Sequence, residues 1–337
     1  MRDTRLNLFR RTCSLDYFNK KLNEILGNVG STLEDYVISY IHFDVPNGLR
    51  EESNLMRLVD VTNTSDESQV ILDEDGDIVI KRVSGSKNNV EARLLLEHQN
   101  TTNLANVGRQ LWRGALCLAD YLFELFDKNM IDEFGNDEAW LEIGAGTGLL
   151  AIVSYIVKQK QNSTASHIFV TDLVDVLPLT KSNVKRNLVE TSDNLSFVSL
   201  DVTENKIPKV ILNEKISLLL AADVIYDDSI TDGIIKTLQS LITQQHNLKA
   251  MKTRRLLTCL FSIEKRINFT IHNLNACAPA FDYFIDRLEE LDKKLQQFNV
   301  KLSISYITLD EKNQWFCYER CKDVVIVKID VLRSFES

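Results

Sequence analysis

An α/β fold, built on a seven-stranded, mostly parallel sheet with helices on both faces, is what the sequence predicts, and three observations predict it. From residue 91 onward, short β-branched and apolar runs alternate with longer segments of helical period. Such alternation implies successive βα units joined by right-handed crossovers. A glycine-rich loop, Gly144-Ala145-Gly146-Thr147-Gly148, stands between the first such run and a nearly all-apolar segment. The last two strand-like runs have no helix between them, which predicts an antiparallel hairpin at one edge of the sheet.

Taken in order, residues 1–90 read as an N-terminal extension that is polar, acidic, β-rich and partly disordered. Within it, Tyr36 to Phe43 reads as a strand, and Val70 to Ile80 as a hairpin turning on Asp75-Gly76. Residues 91–337 form the expected main domain. Residues 111–127 place Trp112, Ala115, Ala119, Leu122 and Phe126 on one helical face. A strand at Ala139 to Ile143 leads into the glycine loop and a helix over Leu149 to Val157. Strand His167 to Thr171, helix Asp175 to Glu190 and strand Leu195 to Leu200 follow. Then come strand Ile216 to Ala222, helix Ser229 to Thr243, strand Arg255 to Phe261 and helix Ala278 to Phe298. Strands Val300 to Ile307 and Asp323 to Ile329 close the chain.

Composition excludes several classes. Hydrophobic residues make up 44% and charged residues 26% of the 337, ordinary for a soluble globular protein. The longest apolar run, Ile216 to Tyr226, is broken by Asp223 and is too short to span a bilayer. The basic start, MRDTRLNLFRRTC, carries Asp3 and is followed by Asp16, which argues against a targeting presequence. Six cysteines show no CxxC pair and read as reduced thiols, with no metal site. The net charge of −9 gives no bias toward nucleic-acid phosphates and favours a basic partner. Asp223, Asp227, Asp228 and Asp232 are the expected acidic patch.

The strongest signal is Glu142 followed by the loop of Gly144, Ala145, Gly146 and Gly148. Glycine at a strand-to-helix turn permits a tight bend and close approach of a ligand to backbone. The spacing is G-x-G-x-G, and Leu149 stands where a dinucleotide fold has its third glycine. A cofactor without pyrophosphate, S-adenosylmethionine, suits this pattern. Its ammonium explains an acidic Glu142 beside the loop. Asp172, ending the next strand, is placed to accept the two ribose hydroxyls.

The fourth strand ends in Ala221-Ala222-Asp223-Val224-Ile225-Tyr226. Ligands of open α/β sheets bind at the carboxyl ends of strands where strand order reverses, so this segment is expected to face the glycine loop. Ala222 then borders the cofactor. Asp223 is cast as an acceptor that orients a nucleophilic nitrogen, and Tyr226 as a wall of the same channel. The plainer alternative makes Asp223 a helix cap and Tyr226 a core aromatic.

Together these residues resemble the seven-β-strand protein methyltransferases of the family 16 type. The resemblance runs from residue 108 to 337. It is carried by Leu111-Trp112-Arg113-Gly114-Ala115, the glycine loop, Thr171-Asp172-Leu173, Asn183-Val184-Lys185-Arg186-Asn187, and the D-x-x-Y of Asp223 and Tyr226. The resemblance implies a Rossmann-like fold and methyl transfer to lysine on a specific non-histone protein. It further implies an intracellular, nuclear enzyme, with Trp112 near the cofactor. Val202 stands where the family often has an adenine-stacking tryptophan, which leaves Asp201 as the expected contact to the adenine amine. Glu264, Arg266 and Asn268 fall on a loop over the acceptor, with an open role. A monomer acting on a basic protein segment, without membrane or nucleic-acid binding, is the expected state. The rival readings are a nucleic-acid or small-molecule N-methyltransferase and a non-catalytic cofactor-binding module. Val224 and Ile225, in place of the prolines common beside base-methylating sites, disfavour the first.

Overall fold

The structure, a computed structural model, describes residues 36–46, 49, 91–99, 104–135, 138–159, 167–189, 193–247, 255–270, 275–307, 309 and 314–333. The elements are β1 (Tyr36–Asp44), β2 (Glu91–Gln99), α1 (Arg113–Asp127), β3 (Ala139–Ile143), α2 (Leu149–Gln159), β4 (Ile168–Asp172), α3 (Leu177–Asn187) and β5 (Leu195–Ser199). They continue with α4 (Lys209–Leu212), β6 (Ile216–Ala222), α5 (Asp228–Asn247), β7 (Arg255–Glu264), β8 (Asn268–Thr270), β9 (Asn275–Cys277), α6 (Pro279–Gln296), β10 (Val300–Ile307) and β11 (Val324–Arg333). The expected hairpin at residues 70–80 lies outside the described residues.

The main sheet has seven strands in the order β10-β11-β7-β6-β3-β4-β5. Pairings β3–β4, β4–β5, β3–β6 and β6–β7 are parallel. β11 runs antiparallel to both of its neighbours, β7 and β10. The strand order reverses at β3, between β4 and β6, as the sequence predicts. A second pair, β1 with β2, is antiparallel from Tyr36↔Gln99 to Asp44↔Glu91.

The central strands are apolar on both faces because helices cover both. All five residues of β3 are buried, and successive ones enter different cores. Trp140 packs with Leu118, Leu122 and Phe123 of α1 and Ile152 and Val153 of α2. Leu141 packs on the other face with Ile234 and Leu238 of α5 and Phe284 and Leu288 of α6. Phe43 of β1 joins the first core, with ring centroids 5.7 Å from Phe123 and 5.2 Å from Phe316.

Element ends differ from the periodicity reading for physical reasons. Helix α1 buries Leu116, Cys117, Leu118, Leu122, Phe123 and Leu125, a wider strip than the single face expected. It is wedged between α2 and the β7–β11 side of the sheet. Helix α5 runs past Thr243 to Asn247 because Gln245 is buried and donates to the Ile216 carbonyl at 2.9 Å. Helix α3 starts at Leu177, with Pro178 in the first turn, where a missing N–H costs nothing.

Asn183 and Asn187, one turn apart on α3, pair with the edge of β2. Asn187 accepts from Leu95 N–H (2.7 Å) and donates to the Leu95 carbonyl (2.8 Å). Asn183 does the same with Glu97, at 2.8 Å in both directions. The two carboxamides satisfy the edge as a neighbouring strand would. Arg186 adds an ion pair to Glu97 at 2.8 Å. Among the described residues, no helix is long and apolar enough to cross a membrane, and no cluster of three or more His, Cys, Asp or Glu could hold a metal ion.

Candidate active site

The glycine loop is held from three sides. Gly144 and Ala145 N–H groups donate to the Thr171 carbonyl, at 2.9 and 3.0 Å. Thr180 Oγ1 donates to the Gly146 carbonyl (2.6 Å), and Asn183 Nδ2 to the Thr147 carbonyl (2.9 Å). Gly146 has φ +52°, and a Cβ there would lie 2.9 Å from the Gly108 carbonyl oxygen. The close approach of that carbonyl leaves no room for a side chain, and the positive φ also favours glycine. A Cβ on Gly144 would meet Val224 Cγ1 at 2.5 Å, so the loop after β3 and the loop after β6 touch.

Two carboxyl groups flank the loop. Glu142, at the end of β3, is 2% exposed, and its Oε2 has no hydrogen-bond partner among the described residues. Burial, and then the charge of Asp172, push its pKa up to about 8. Asp172 Oδ2 accepts from Gly146 N–H and Oδ1 from Leu173 N–H, both at 2.7 Å. Burial raises its pKa to about 6 against these two bonds. An unpartnered buried carboxylate oxygen costs free energy until a donor or a cation meets it. A ligand with an ammonium for Glu142 and hydroxyls for the remaining lone pairs of Asp172 fits this donor set. The amino-acid tail and ribose of S-adenosylmethionine have those groups.

Asp223 sits just past β6 with φ +53°, unusual for a residue with a side chain. Its N–H donates to the Ser262 carbonyl (2.8 Å). Its Oδ2 accepts from Gly114 N–H (2.6 Å) and its Oδ1 from Glu264 N–H (2.8 Å). The residue preceding α1, Trp112, makes no side-chain cap, so Asp223 satisfies that helix terminus from across the fold. Burial raises the Asp223 pKa, and its two backbone donors and the charge of Arg266 work against the rise. The cap of α5 is Asp227, whose Oδ1 accepts from Ser229 and Ile230 N–H at 2.8 and 3.2 Å.

Tyr226 is half-buried, and its pKa is raised by burial and by the charges of Asp172 and Asp227. The Arg266 guanidinium lies 5.4 Å from the Trp112 ring centroid and 6.0 Å from that of Tyr226. Trp112 Nε1 donates to the Val107 carbonyl at 2.8 Å, which fixes the indole. Glu264 pairs with Arg113 at 3.4 Å.

The remaining sequence-derived residues fall at the rim. Ala222 is half-buried and pairs with Ser262 across β6–β7. Asp201 Oδ1 accepts from Thr203 N–H (2.9 Å) and Oγ1 (2.6 Å), capping a short 3-10 turn. Val202 is 9% exposed, and its carbonyl lies against Gly233 of α5. The acidic patch is thinner than its sequence implied. Asp223 is turned inward, and Asp232 is paired with Arg287 (2.8 Å) and accepts from Tyr283 (3.0 Å). Sequence reasoning missed Gly108 and Thr180, which pack on the loop, and the loop contact of Asn183. The N-x-x-x-N spacing of Asn183 and Asn187 was the available signal, since it puts both on one helical face.

Comparison with known proteins gives the chain's relatives. A family model described as lysine methyltransferase matches residues 89–265. The chain is 33% identical over 281 residues to methyltransferase-like protein 22 of Homo sapiens, covering 77% of this chain and 62% of that protein. Against the Mus musculus protein of the same name it is 33% identical over 254 residues, covering 70% and 58%. Against protein-lysine methyltransferase METTL21E of Bos taurus it is 28% identical over 221 residues, covering 63% of each chain. The chain thus spans about three-fifths of the length of the curated relatives it matches.

Proposed function

The chain belongs to the lysine methyltransferase family, and on that premise we propose that it methylates the ε-amine of a lysine on a specific non-histone protein. S-adenosylmethionine, the methyl donor of the family, supplies an electrophilic methyl group on a sulfonium. Glu142 is the residue for its ammonium, and its buried Oε2, without a partner among the described residues beside the glycine loop, is the observation that carries this reading. Asp172 takes the ribose hydroxyls on lone pairs its two backbone donors leave open. Gly144, Ala145, Gly146 and Gly148 let the ligand approach the backbone, Trp112 and Ala222 border it, and Asp201 stands toward the adenine.

The acceptor side is Asp223 and Tyr226. A lysine must lose its proton before attack, and its free pKa of about 10.4 works against that at neutral pH. Desolvation near the half-buried Tyr226 lowers the pKa, while a carboxylate raises it. Asp223 therefore orients the nitrogen and does not act as a strong base. Most of the rate would come from Asp223 and Tyr226 holding the lysine nitrogen toward the methyl donor.

The proposed partner is a protein presenting its lysine in a basic segment, since the chain carries a net charge of −9. The proposed setting is the nucleus, with the enzyme as a monomer that binds no nucleic acid. The test supplies labelled S-adenosylmethionine and purified protein to an extract from cells lacking the gene. Label is expected in protein, resistant to nuclease, on a lysine identified by mass spectrometry. Label confined to nucleic acid or small molecules would overturn the proposal.

A further inference from the structure

Arg266 lies against Tyr226, the residue proposed to line the acceptor channel, and against Trp112. Trp112, before α1, and Tyr226, after β6, come from distant parts of the chain, yet both rings face one guanidinium, at 5.4 and 6.0 Å. Aromatic faces attract cations, and two rings on one cation form the elements of a cage. Arg266 itself is exposed, in the short link between β7 and β8. Among the described residues no carboxylate lies within ion-pair reach of it, whereas its neighbour Glu264 is engaged with Arg113. The Arg266 charge is nevertheless felt by both Asp223 and Tyr226. It is thus held by two rings, at the exposed end of a long side chain.

We propose that Arg266 is a specificity-determining residue of the acceptor site, filling the Trp112–Tyr226 cage with a guanidinium that the incoming lysine side chain must displace. The inference rests on the reading of this site as that of a lysine methyltransferase. A guanidinium stays protonated at any physiological pH, so it holds the cage without becoming a nucleophile itself. An entering side chain must first compete as a cation and then, unlike arginine, shed its proton. A neutral side chain gains too little from the rings to displace the guanidinium. The displacement cost is common to every entrant, so Arg266 sets a threshold that only a side chain held by the rings as a cation meets.

The test uses the full chain saturated with S-adenosylhomocysteine and two probes, tetramethylammonium and Nα-acetyl-trimethyllysine amide, titrated by tryptophan fluorescence and by NMR. Arg266→Ala is expected to bind both probes about tenfold more tightly than the unmodified protein, the scale of removing a competitor held by two ring contacts. Arg266→Lys, which restores a cation, is expected to stay within about threefold of the unmodified protein. Arg266→Ala combined with Tyr226→Leu is expected to lose the gain. Where the alanine variant does not fold, Arg266→Gln serves in its place, since it drops the charge and keeps most of the length. Unchanged or weaker probe binding without the arginine overturns the inference, as does a gain that survives loss of Tyr226. Those results leave the cofactor reading intact. Absence of S-adenosylhomocysteine binding to the unmodified protein overturns that reading instead, and the inference with it.

Discussion

Asp223 closes the N-terminus of α1 from across the fold, through a 2.6 Å hydrogen bond from the N–H of Gly114, 109 residues earlier in the chain, to its Oδ2. Its other oxygen accepts from Glu264 N–H at 2.8 Å, so one carboxylate joins α1, the end of β6 and the end of β7. The same residue is proposed to orient the acceptor. Separate substitutions can distinguish the two roles. Asp223→Ala removes both bonds and is expected to lower stability by about 2–4 kcal/mol, the scale of hydrogen bonds to a charged acceptor. Asp223→Asn tolerates the φ of +53° and keeps one acceptor oxygen but turns its NH2 toward the other backbone N–H, so it should retain only about half of that stability. Its single-turnover rate is nevertheless expected to fall by roughly two orders of magnitude, with S-adenosylmethionine affinity within about threefold. A normal rate in the asparagine variant would reduce Asp223 to a structural clamp.

Glu142 predicts a pH dependence. Its carboxyl is pushed up to about 8 in the ligand-free protein, against an ordinary value of 4.5. The folded state therefore binds more protons than the unfolded state between those values. Stability from this group is present below 4.5 and is lost as pH rises through about 8. Glu142→Gln should flatten that slope in thermal melts and raise the melting temperature near pH 8. The same variant should weaken binding of S-adenosylhomocysteine, because the ammonium loses its carboxylate. In the unmodified protein, calorimetry in buffers of different ionisation enthalpy should detect proton release on binding at pH 7. Binding without proton release would mean that Glu142 does not meet the ammonium.

Asp172→Ala is expected to weaken S-adenosylhomocysteine binding by ~1.5–3 kcal/mol through loss of the hydroxyl contacts. It also frees the Gly146 N–H, so part of the loss reflects a looser loop. Isothermal titration with S-adenosylhomocysteine and with free methionine separates these parts. A purely ribose effect leaves methionine binding unchanged, and a loop effect weakens both.

Asn183 and Asn187 form a matched pair of controls. Each exchanges two hydrogen bonds with the β2 backbone, but Asn183 alone of the two also donates to the Thr147 carbonyl of the glycine loop. Replacing either by alanine should cost ~1–3 kcal/mol, since part-buried β2 backbone groups are left unpaired. Asn183→Ala should also weaken S-adenosylhomocysteine binding by several-fold, while Asn187→Ala should spare it. Equal effects on cofactor affinity would show that the bond to the loop has no functional weight.

What the sequence determined by itself was set by local chemistry. The β3 and β6 strands are apolar runs with covered faces, and their ends at Ile143 and Ala222 fall where the pattern stops. The loop of Gly144, Gly146 and Gly148 announces itself because positive φ at each favours glycine. Strand alternation with a final pair lacking a helix implied a mostly parallel sheet and placed the end of β6 opposite the glycine loop. Tertiary structure alone decided what the polar groups do. Asp223 meets Gly114 and Glu264, Asn183 meets both Glu97 and Thr147, and Arg266 lies against Trp112 and Tyr226. None of these partners is within a few positions in the chain, so no periodicity or turn preference encodes them. Hydrophobic burial has a repeating signature because it is non-directional, whereas a hydrogen bond between distant elements exists only once packing has fixed both ends.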